Sequence, residues 1–338
     1  MKKAIQHLST LCAIAVLSMT TMSCSSDDDS TAIQEEDPIP NSELNGTISE
    51  NMTLDASVSY NLTGILSVDN GATLTIPAGT TIHTETGTDV YVVIQKGAKI
   101  NVQGTANAPV KMKPSSTGQW GGLVVLGDAT TTAGSNATAE VGGLIYGGNN
   151  DSDNSGSIEY LIIEQSGAQI NADSQYNGLT LYAVGSGTNI NNVAIINGTD
   201  DGIEFFGGTV NASNIYVENL EDDAIDWTEG WNGTLTNTYV LHTEAGFSTA
   251  LEADGFNGNP SIINFTAVSQ VGGKALQFKA ESGATMIGLS LTGYETSIDM
   301  ANDGPLSNIQ IEGQTADPMM NYNVPATVEF SAFSWTFN

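Results

Sequence analysis

Acidic residues recur at one position of a short repeated pattern in the second half of the chain. Four-residue segments with an apolar second residue return at offsets of 24, 22, 26, 25 and 22 residues. The segments are Gly178-Leu179-Thr180-Leu181, Gly202-Ile203-Glu204-Phe205, Ala224-Ile225-Asp226-Trp227, Ala250-Leu251-Glu252-Ala253, Ala275-Leu276-Gln277-Phe278 and Ser297-Ile298-Asp299-Met300. Alternate residues of a strand share a face, so the third residue of each segment points outward if the second points into a core. The outward column predicted in this way is Thr180, Glu204, Asp226, Glu252, Gln277 and Asp299.

Three successive carboxylates of this column, Glu204, Asp226 and Glu252, suggest a metal site. Stacked strands lie about 5 Å apart. At that distance each neighbouring pair of charges repels by about 3 kcal/mol at an effective dielectric of 20, and by about 1 kcal/mol in water. Calcium accepts several carboxylate oxygens in flexible geometry and would relieve this repulsion. A fully solvated acidic face is the alternative, and the sequence leaves both open.

A second outward column follows two residues further along the strands. It consists of Tyr182, Phe206, Thr228, Asp254, Lys279 and Ala301. Tyr182 and Phe206 are predicted to form an exposed aromatic platform on which sugar rings stack; simple ladder stacking under a long corner loop is the alternative. Asp254 and Lys279 are expected to be neighbours, most simply as a surface ion pair. The predicted ligand-binding residues are Tyr182, Phe206, Glu204, Asp226 and Glu252.

Two further acidic motifs occur outside the columns. The run from Asn149 to Asn154 alternates oxygen ligands as the start of a calcium loop does, so Asp151 and Asp153 join the candidate metal ligands. Tyr160 stands where the bidentate Glu of such a loop belongs. The doubled acids at 200–201 and 222–223 precede their strands, where Asp side chains often accept backbone N–H groups. We expect them to have a structural role.

The inventory of residues favours binding over catalysis. If the protein is an enzyme, the candidates are Asp226, Asp254 and Lys279, with Lys279 as a base whose pKa must be lowered. Arg is absent, and no Lys occurs from 114 to 273. His83 and His242 are the only histidines after the N-terminal segment, and neither lies in a Gly-His-Gly context. We therefore predict no catalytic residue, with a polysaccharide lyase or glycoside hydrolase as the alternative.

The elements that carry these residues are short apolar strands separated by turns rich in Gly and Asn. No segment has a sustained period near 3.6 residues, so helices should be rare. A second ladder runs between the segments: Asn192-Val193, Asn214-Ile215, Asn237, Asn264-Phe265 and Asn308-Ile309. A variable period of 22–26 residues predicts an all-β, right-handed parallel β-helix of roughly 10–12 coils, because corner loops absorb the differences in length. We expect this domain over residues 46–338.

The first 45 residues have a different composition. Lys2 and Lys3 precede the apolar run Leu11–Leu17, and Cys24 follows small and polar residues. This order predicts a lipoprotein signal peptide over residues 1–23. Cys24 would then be the lipidation site, acylated for example with palmitate, and residues 24–45 a disordered acidic tether. Secretion without a lipid is the alternative.

Several motifs carry a family resemblance. They include Gly118-Gln119-Trp120-Gly121-Gly122, Tyr146-Gly147-Gly148, Asp200-Asp201-Gly202-Ile203-Glu204-Phe205-Phe206-Gly207-Gly208 and Ser334-Trp335-Thr336. With them the chain resembles an uncharacterised family of Bacteroidota surface lipoproteins that have a right-handed parallel β-helix. The resemblance implies a lipid-anchored protein exposed at the outer membrane, and it implies no particular activity.

The net charge of the chain limits the classes of partner that the protein can bind. The chain has 38 acidic residues against 8 Lys, a formal net charge of -30, which opposes binding to nucleic acid. We expect a monomeric binding or adhesion module for neutral or basic glycans, with calcium as its one candidate cofactor. A lyase or hydrolase on the same face and a structural surface-layer component remain as alternatives.

Overall fold

A computed structural model of the chain describes residues 42–172, 174–279, 281–301 and 306–337. The predicted signal peptide, Cys24 and the tether up to residue 41 lie outside this part. The strands are β1 (Glu43–Ile48), β2 (Met52–Thr53), β3 (Tyr60–Val68), β4 (Thr73–Pro77), β5 (Thr81–Thr84), β6 (Val92–Ile94), β7 (Lys99–Gln103), β8 (Val110–Pro114), β9 (Leu123–Leu126), β10 (Ala137–Thr138), β11 (Ile145–Tyr146), β12 (Gly156–Glu164), β13 (Leu179–Tyr182), β14 (Asn189–Ile196), β15 (Ile203–Phe206), β16 (Asn211–Glu218), β17 (Ile225–Thr228), β18 (Thr234–His242), β19 (Leu251–Ala253), β20 (Ser261–Ser269), β21 (Lys274–Phe278), β22 (Ala284–Thr292), β23 (Thr296–Met300), β24 (Ile309–Ile311) and β25 (Gln314–Thr315). Two 3-10 segments, Leu306–Asn308 and Phe330–Phe337, lie near the C-terminus. Strand β1 begins at Glu43, so the ordered domain starts before the boundary predicted at residue 46.

The strands stack in parallel on three faces of a β-helix. Face 1 is built by β9, β13, β15, β17, β19, β21 and β23, preceded by β6 and the ends of β3 and β1. Face 2 contains β2, β4 and β7, the first halves of β12, β14, β16, β18, β20 and β22, and β24. Face 3 contains the starts of β1 and β3, then β5 and β8, and the second halves of β12, β14, β16, β18, β20 and β22. The predicted all-β parallel β-helix is confirmed.

The described part of face 1 has ten stacked rungs, which agrees with the prediction of 10–12 coils. Equivalent inward residues on successive rungs are Gly46, Leu66, Val92, Leu123, Leu179, Ile203, Ile225, Leu251, Leu276 and Ile298. Apart from Gly46, which is exposed and has no side chain, these residues are apolar and belong to one continuous buried core inside the coils. Burial of this apolar surface is the main force that holds each coil on the next.

The corner between faces 2 and 3 is made by residues in the left-handed region. Asn214, Asn237 and Asn264 have φ of 56°, 56° and 58°. Their side-chain amides bond from coil to coil: Asn237 Nδ2 donates to Asn214 Oδ1 at 3.1 Å, and Asn264 Nδ2 to Asn237 Oδ1 at 2.9 Å. The predicted Asn ladder is therefore confirmed here. Asn308 does not continue it, because it lies before β24 and donates instead to the carbonyl of Ser282.

Two segments outside the repeat cover two of the faces. A long insertion separates β9 from β12 and contains the antiparallel pair β10–β11; because of it, Leu123 pairs with Leu179, 56 residues later. This insertion packs on face 1. The C-terminal segment brings Phe333 and Trp335 onto the outer side of face 3, against Ile162 and Tyr216.

Among the described residues, no helix has the length and apolar character needed to cross a membrane.

Candidate functional site

The predicted acidic column exists on face 1. Thr180 pairs in register with Glu204, and Glu204 with Asp226. Strand β19 lies beside β17, so Glu252 follows Asp226, and Gln277 and Asp299 continue the series. The solvated acidic face that was the alternative to a metal site is not found at the first three carboxylates. Glu204, Asp226 and Glu252 are only 8%, 7% and 7% exposed.

The insertion explains part of this burial. Its residues Ala139, Val141 and Tyr146 pack against Tyr182 and Phe206 in a second apolar cluster outside the coils. Tyr182 is 1% exposed and Phe206 is 7% exposed. Their rings stack at 4.2 Å, and the Tyr146 ring lies 4.7 Å from Tyr182. The prediction of an exposed aromatic platform is therefore wrong, because a long loop covers these stacked rings.

Glu229 fixes the insertion on face 1. The Tyr146 hydroxyl lies 2.8 and 2.9 Å from the two carboxylate oxygens of Glu229, and the Thr131 hydroxyl donates to the same carboxylate at 2.5 Å. Glu229 adopts a φ of 54°, which is uncommon for a residue with a side chain. Sequence reasoning missed this contact, because Tyr146 was noted only within a family motif and Glu229, directly after β17, belongs to neither outward column.

The corner that precedes face 1 adds more carboxylates to the column. One carboxylate oxygen from each of Asp201, Glu204 and Asp226 lies within 4.8 Å of the others, and the same holds for Asp200, Asp201 and Asp222. We call these five residues the carboxylate cluster. Asp201, Glu204 and Asp226 are buried, Asp200 is half-buried and Asp222 is exposed at the rim. Asp201 also accepts the backbone N–H of Asp223 at 2.9 Å, in agreement with the predicted structural role.

Few groups compensate the charge of this cluster. Asn177 Nδ2 donates to Glu204 at 2.6 Å. Asp226 Oδ1 is buried and has no hydrogen-bond partner among the described residues. Lys279 forms its ion pair with Glu252, one rung beyond Asp226. Asp254 and Lys279 are neighbours on adjacent rungs, as predicted. The predicted ion pair between them is wrong, because the Lys279 ammonium reaches the more deeply buried carboxylate of Glu252 instead.

Burial and mutual repulsion raise the pKa values of the cluster. Desolvation is the main cause, and it raises the pKa of Asp201, Glu204 and Asp226 well above the ordinary range, with the neighbouring carboxylates adding to the effect. Desolvation and the charge of Asp222 raise the pKa of Asp200 to about 7. At neutral pH such a cluster must retain protons or bind a cation.

Lys279 does not have the property that a lyase base needs. Burial lowers its pKa, but the hydrogen bond and charge of Glu252 outweigh this, so the pKa of Lys279 lies above its usual value. The lowered pKa that a base at this position requires is therefore not found. Asp254 is half-buried, and its backbone N–H donates to the carbonyl of Trp227.

The second candidate calcium motif is part of the local loop structure. Asp151 Oδ1 accepts the backbone N–H of Thr130 at 2.9 Å. Asp153 Oδ2 accepts the Ser155 hydroxyl at 3.2 Å. Among the described residues, neither carboxylate belongs to a group of three potential ligands. The two aspartates are thus not brought together with the carboxylate cluster.

Asn177 is a part of the site that the sequence could have indicated. Asn177, Asp201, Asp223 and Thr249 each stand two residues before an inward apolar residue of face 1. Their spacing repeats the 24, 22 and 26 residues of the acidic column. A search for polar residues at a fixed distance before each face 1 strand, rather than within the strand, finds this column of corner residues.

Comparison with known proteins gives the family. A family model described as a pectate-lyase-like β-helix domain matches residues 46–334, and the chain belongs to this family. No curated protein and no solved structure matches the chain significantly.

Proposed function

We propose that this protein is a polysaccharide-binding β-helix of the cell surface, held to the outer membrane by a lipid on Cys24, and that its carboxylate cluster binds calcium. The observation that carries the calcium site is Asp226. Its buried Oδ1 has no hydrogen-bond partner among the described residues, and one of its carboxylate oxygens lies within 4.8 Å of oxygens from Asp201 and Glu204.

The chemistry of the cluster suits a divalent cation. Two carboxylates separated by about 5 Å repel by roughly 3 kcal/mol at an effective dielectric of 20. A buried charge is stable only when it is paired or bound to a metal. Calcium prefers carboxylate oxygens and tolerates irregular geometry, and Asp201, Glu204 and Asp226 would supply its protein ligands. Glu252, which was predicted as a ligand, is already paired with Lys279.

The polysaccharide role rests on the family and on charge. The family to which the chain belongs is described as a pectate-lyase-like β-helix domain. The net charge of -30 disfavours nucleic acids as partners. The proposed surface location depends on Cys24 and the acidic residues that follow it.

One observation favours glycoside hydrolysis as a second candidate function. Asp200 and Asp222 meet at the rim of the cluster beside buried Asp201. Two carboxylates in different environments are the usual apparatus of a glycosidase, one acting as acid and the other as base or nucleophile. Asp200→Asn and Asp222→Asn, assayed for product release from neutral and uronic oligosaccharides, test this candidate. Wild-type protein without activity would exclude it for those substrates.

Calcium titration by calorimetry tests the main proposal. The protein would carry Cys24→Ser, which removes the acyl acceptor. We expect stoichiometric binding accompanied by proton release at pH 7, since bound calcium displaces protons from the cluster. Asp226→Asn should weaken binding at least tenfold. The matched control is Asp299→Asn, in the same column but paired with Lys274, which should leave calcium binding unchanged.

Two results would contradict the proposal. Absence of calcium binding by the parent protein would remove the metal site. Equal weakening by Asp226→Asn and Asp299→Asn would mean that calcium only screens the acidic column. The anchor is tested separately: Cys24→Ala should move the full-length protein from the membrane fraction to the soluble fraction.

A further inference from the structure

Face 2 differs from the other two faces because, among the described residues, no segment packs on the outer side of its middle rungs. The insertion packs on face 1 and the C-terminal segment packs on face 3. The outward residues of the first halves of β14, β16 and β18 remain exposed or half-exposed. We call them the uncharged strip: Asn189, Asn191, Asn211, Ser213, Thr234 and Thr236.

The composition of the strip contrasts with that of the whole chain. In a protein with 38 acidic residues, none of its six side chains carries a charge. Register places the residues in two columns, Asn189 beside Asn211 and Asn191 beside Ser213 and Thr236. All residues of the strip except Asn191 line a groove of about 440 Å³ whose other lining residues are also uncharged. The nearest acid in register is Glu159, one rung before Asn191, and its carboxylate accepts a hydrogen bond from Asn189 Nδ2 at 2.9 Å.

Some hydrogen-bonding groups of the strip are used within the protein. Asn191 Oδ1 accepts from the Ser213 hydroxyl at 3.1 Å and from Asn214 Nδ2 at 2.8 Å. Asn211 Oδ1 accepts the backbone N–H of Thr234 at 2.9 Å. These bonds hold the two amide side chains in place and leave their N–H groups to point elsewhere.

Other groups of the strip have no partner among the described residues. They are the hydroxyls of Thr234 and Thr236 and the Nδ2 groups of Asn191 and Asn211. Stacked strands repeat them about every 4.8 Å along the β-helix, and side chains two apart on a strand lie about 7 Å apart across it. The strip therefore presents a flat, regular array of neutral donors and acceptors.

We infer that the uncharged strip binds an extended, uncharged polysaccharide chain. This inference rests on the proposed function and names the face and the class of glycan. Sugar hydroxyls both donate and accept, so they complement an array of amides and hydroxyls. A polyanionic chain would gain no ion pair here and would be repelled by the net charge of -30. A protein partner would require an apolar centre, which these side chains lack.

The strip contains no aromatic ring, so each sugar residue gains only hydrogen bonds that replace those to water. Such single contacts are weak, and affinity must come from several rungs acting together. Binding should therefore strengthen steeply with the length of the oligosaccharide.

The chain offers a matched control for this site. Thr75 on β4 occupies the position of Thr234 on face 2, several rungs away, and Thr73 is the preceding outward residue of the same strand. Both pairs are half-buried. The double variants Thr234→Asp/Thr236→Asp and Thr73→Asp/Thr75→Asp add the same charge to the same face, and the second pair lies several rungs from the strip, with Thr73 beside Lys99.

Calorimetry with cellohexaose, xylohexaose and mannohexaose, each in EDTA, tests the inference. We expect at least one hexasaccharide to bind, and its trisaccharide to bind at least tenfold more weakly. Thr234→Asp/Thr236→Asp should weaken hexasaccharide binding at least tenfold, and Thr73→Asp/Thr75→Asp less than twofold. Thr234→Ala/Thr236→Ala removes the hydroxyls without adding charge and should weaken binding severalfold. Melting temperatures confirm that each variant is folded.

Two outcomes would overturn the inference: no binding of any of the three hexasaccharides, or equal loss in the two Asp double variants. Neither affects the calcium site, since EDTA removes calcium throughout. Conversely, absence of calcium binding in the earlier titration leaves this result standing.

Discussion

The carboxylate cluster on face 1 and the uncharged strip on face 2 are built on the same repeating backbone, yet their environments are opposite. Both are outward columns on parallel strands of the same coils. Glu204 and Asp226 are buried, whereas Asn189 and Asn211 are exposed. The insertion covers face 1, and the described residues contain no such cover over the strip. In this β-helix the repeat decides which residues align, and segments outside the repeat decide how polar their surroundings are.

Truncating Tyr146, which fixes the insertion on face 1, should have the largest effect on the contrast between the two regions. Tyr146→Ala deletes a buried ring that packs on Tyr182 and bonds to Glu229. We expect it to lower the free energy of unfolding by about 3 to 5 kcal/mol, the usual cost of truncating a buried aromatic residue. Urea denaturation measures the change. Phe256→Ala, which truncates an exposed ring, is the control and should cost under about 0.5 kcal/mol. A similar small cost for both would mean that the cover does not hold face 1.

The pH dependence of stability should distinguish the two regions next. Burial, with help from neighbouring charges, raises the pKa of Asp200 and Asp223 to about 7, so the folded state holds protons that the unfolded chain has released. The contribution of these two groups to stability is therefore greatest at low pH and is lost as pH rises through about 7. Without calcium, we expect the free energy of unfolding to fall by on the order of 2 kcal/mol between pH 6.5 and pH 8.5.

The variant Asp200→Asn/Asp223→Asn should reduce this slope, while Thr234→Ala/Thr236→Ala in the strip should not. His242 does not interfere in this range. Burial lowers the pKa of His242 to about 4, so its contribution is lost only as pH falls below about 6.5. A slope unchanged by Asp200→Asn/Asp223→Asn would mean that other groups cause the pH dependence.

Calcium should stabilise the protein more at pH 8.5 than at pH 6.5, because protons compete for the cluster at the lower pH. At a calcium concentration 100 times the Kd, the stabilisation is about 2.7 kcal/mol, which corresponds to a rise in Tm of roughly 5 °C for a chain of this size. Differential scanning calorimetry measures it. The rise should disappear in Asp226→Asn, and an equal rise at both pH values would argue against displacement of protons.

The smallest expected changes in the free energy of unfolding distinguish Thr236 on face 2 from the adjacent Asn237 at the corner between faces 2 and 3. Asn237→Ala removes a left-handed residue and two amide bonds of the ladder, and should cost about 2 kcal/mol. Thr236→Ala, in the uncharged strip, should change the free energy of unfolding by less than about 0.5 kcal/mol. Asn237→Gly tolerates the same φ and isolates the contribution of the amide bonds. If Thr236→Ala cost as much as Asn237→Ala, the strip would be a structural element.

The sequence repeat made the acidic column of the site predictable. The spacing of Glu204 and Asp226 placed them in one column, and the structure has that register. Repetition could not predict that Lys279 pairs with Glu252 instead of Asp254, because a long side chain can reach either carboxylate. Nor could it predict Tyr146 or Glu229, which meet across 83 residues of chain through a segment that the repeat does not contain.

The sequence by itself determined the architecture and the alignment of columns. Each coil must bury the same alternating apolar residues, and only one register of parallel strands does so. Tertiary structure alone decided that Glu204, Asp226, Tyr182 and Phe206 are buried. Their exposure depends on where the insertion after β9 folds, and that path follows from packing and hydrogen bonds between residues distant in sequence. The physical reason is that the local periodicity of a sequence encodes whether a side chain points toward or away from the core. Whether an outward side chain is buried depends also on which other segments of the chain pack over it.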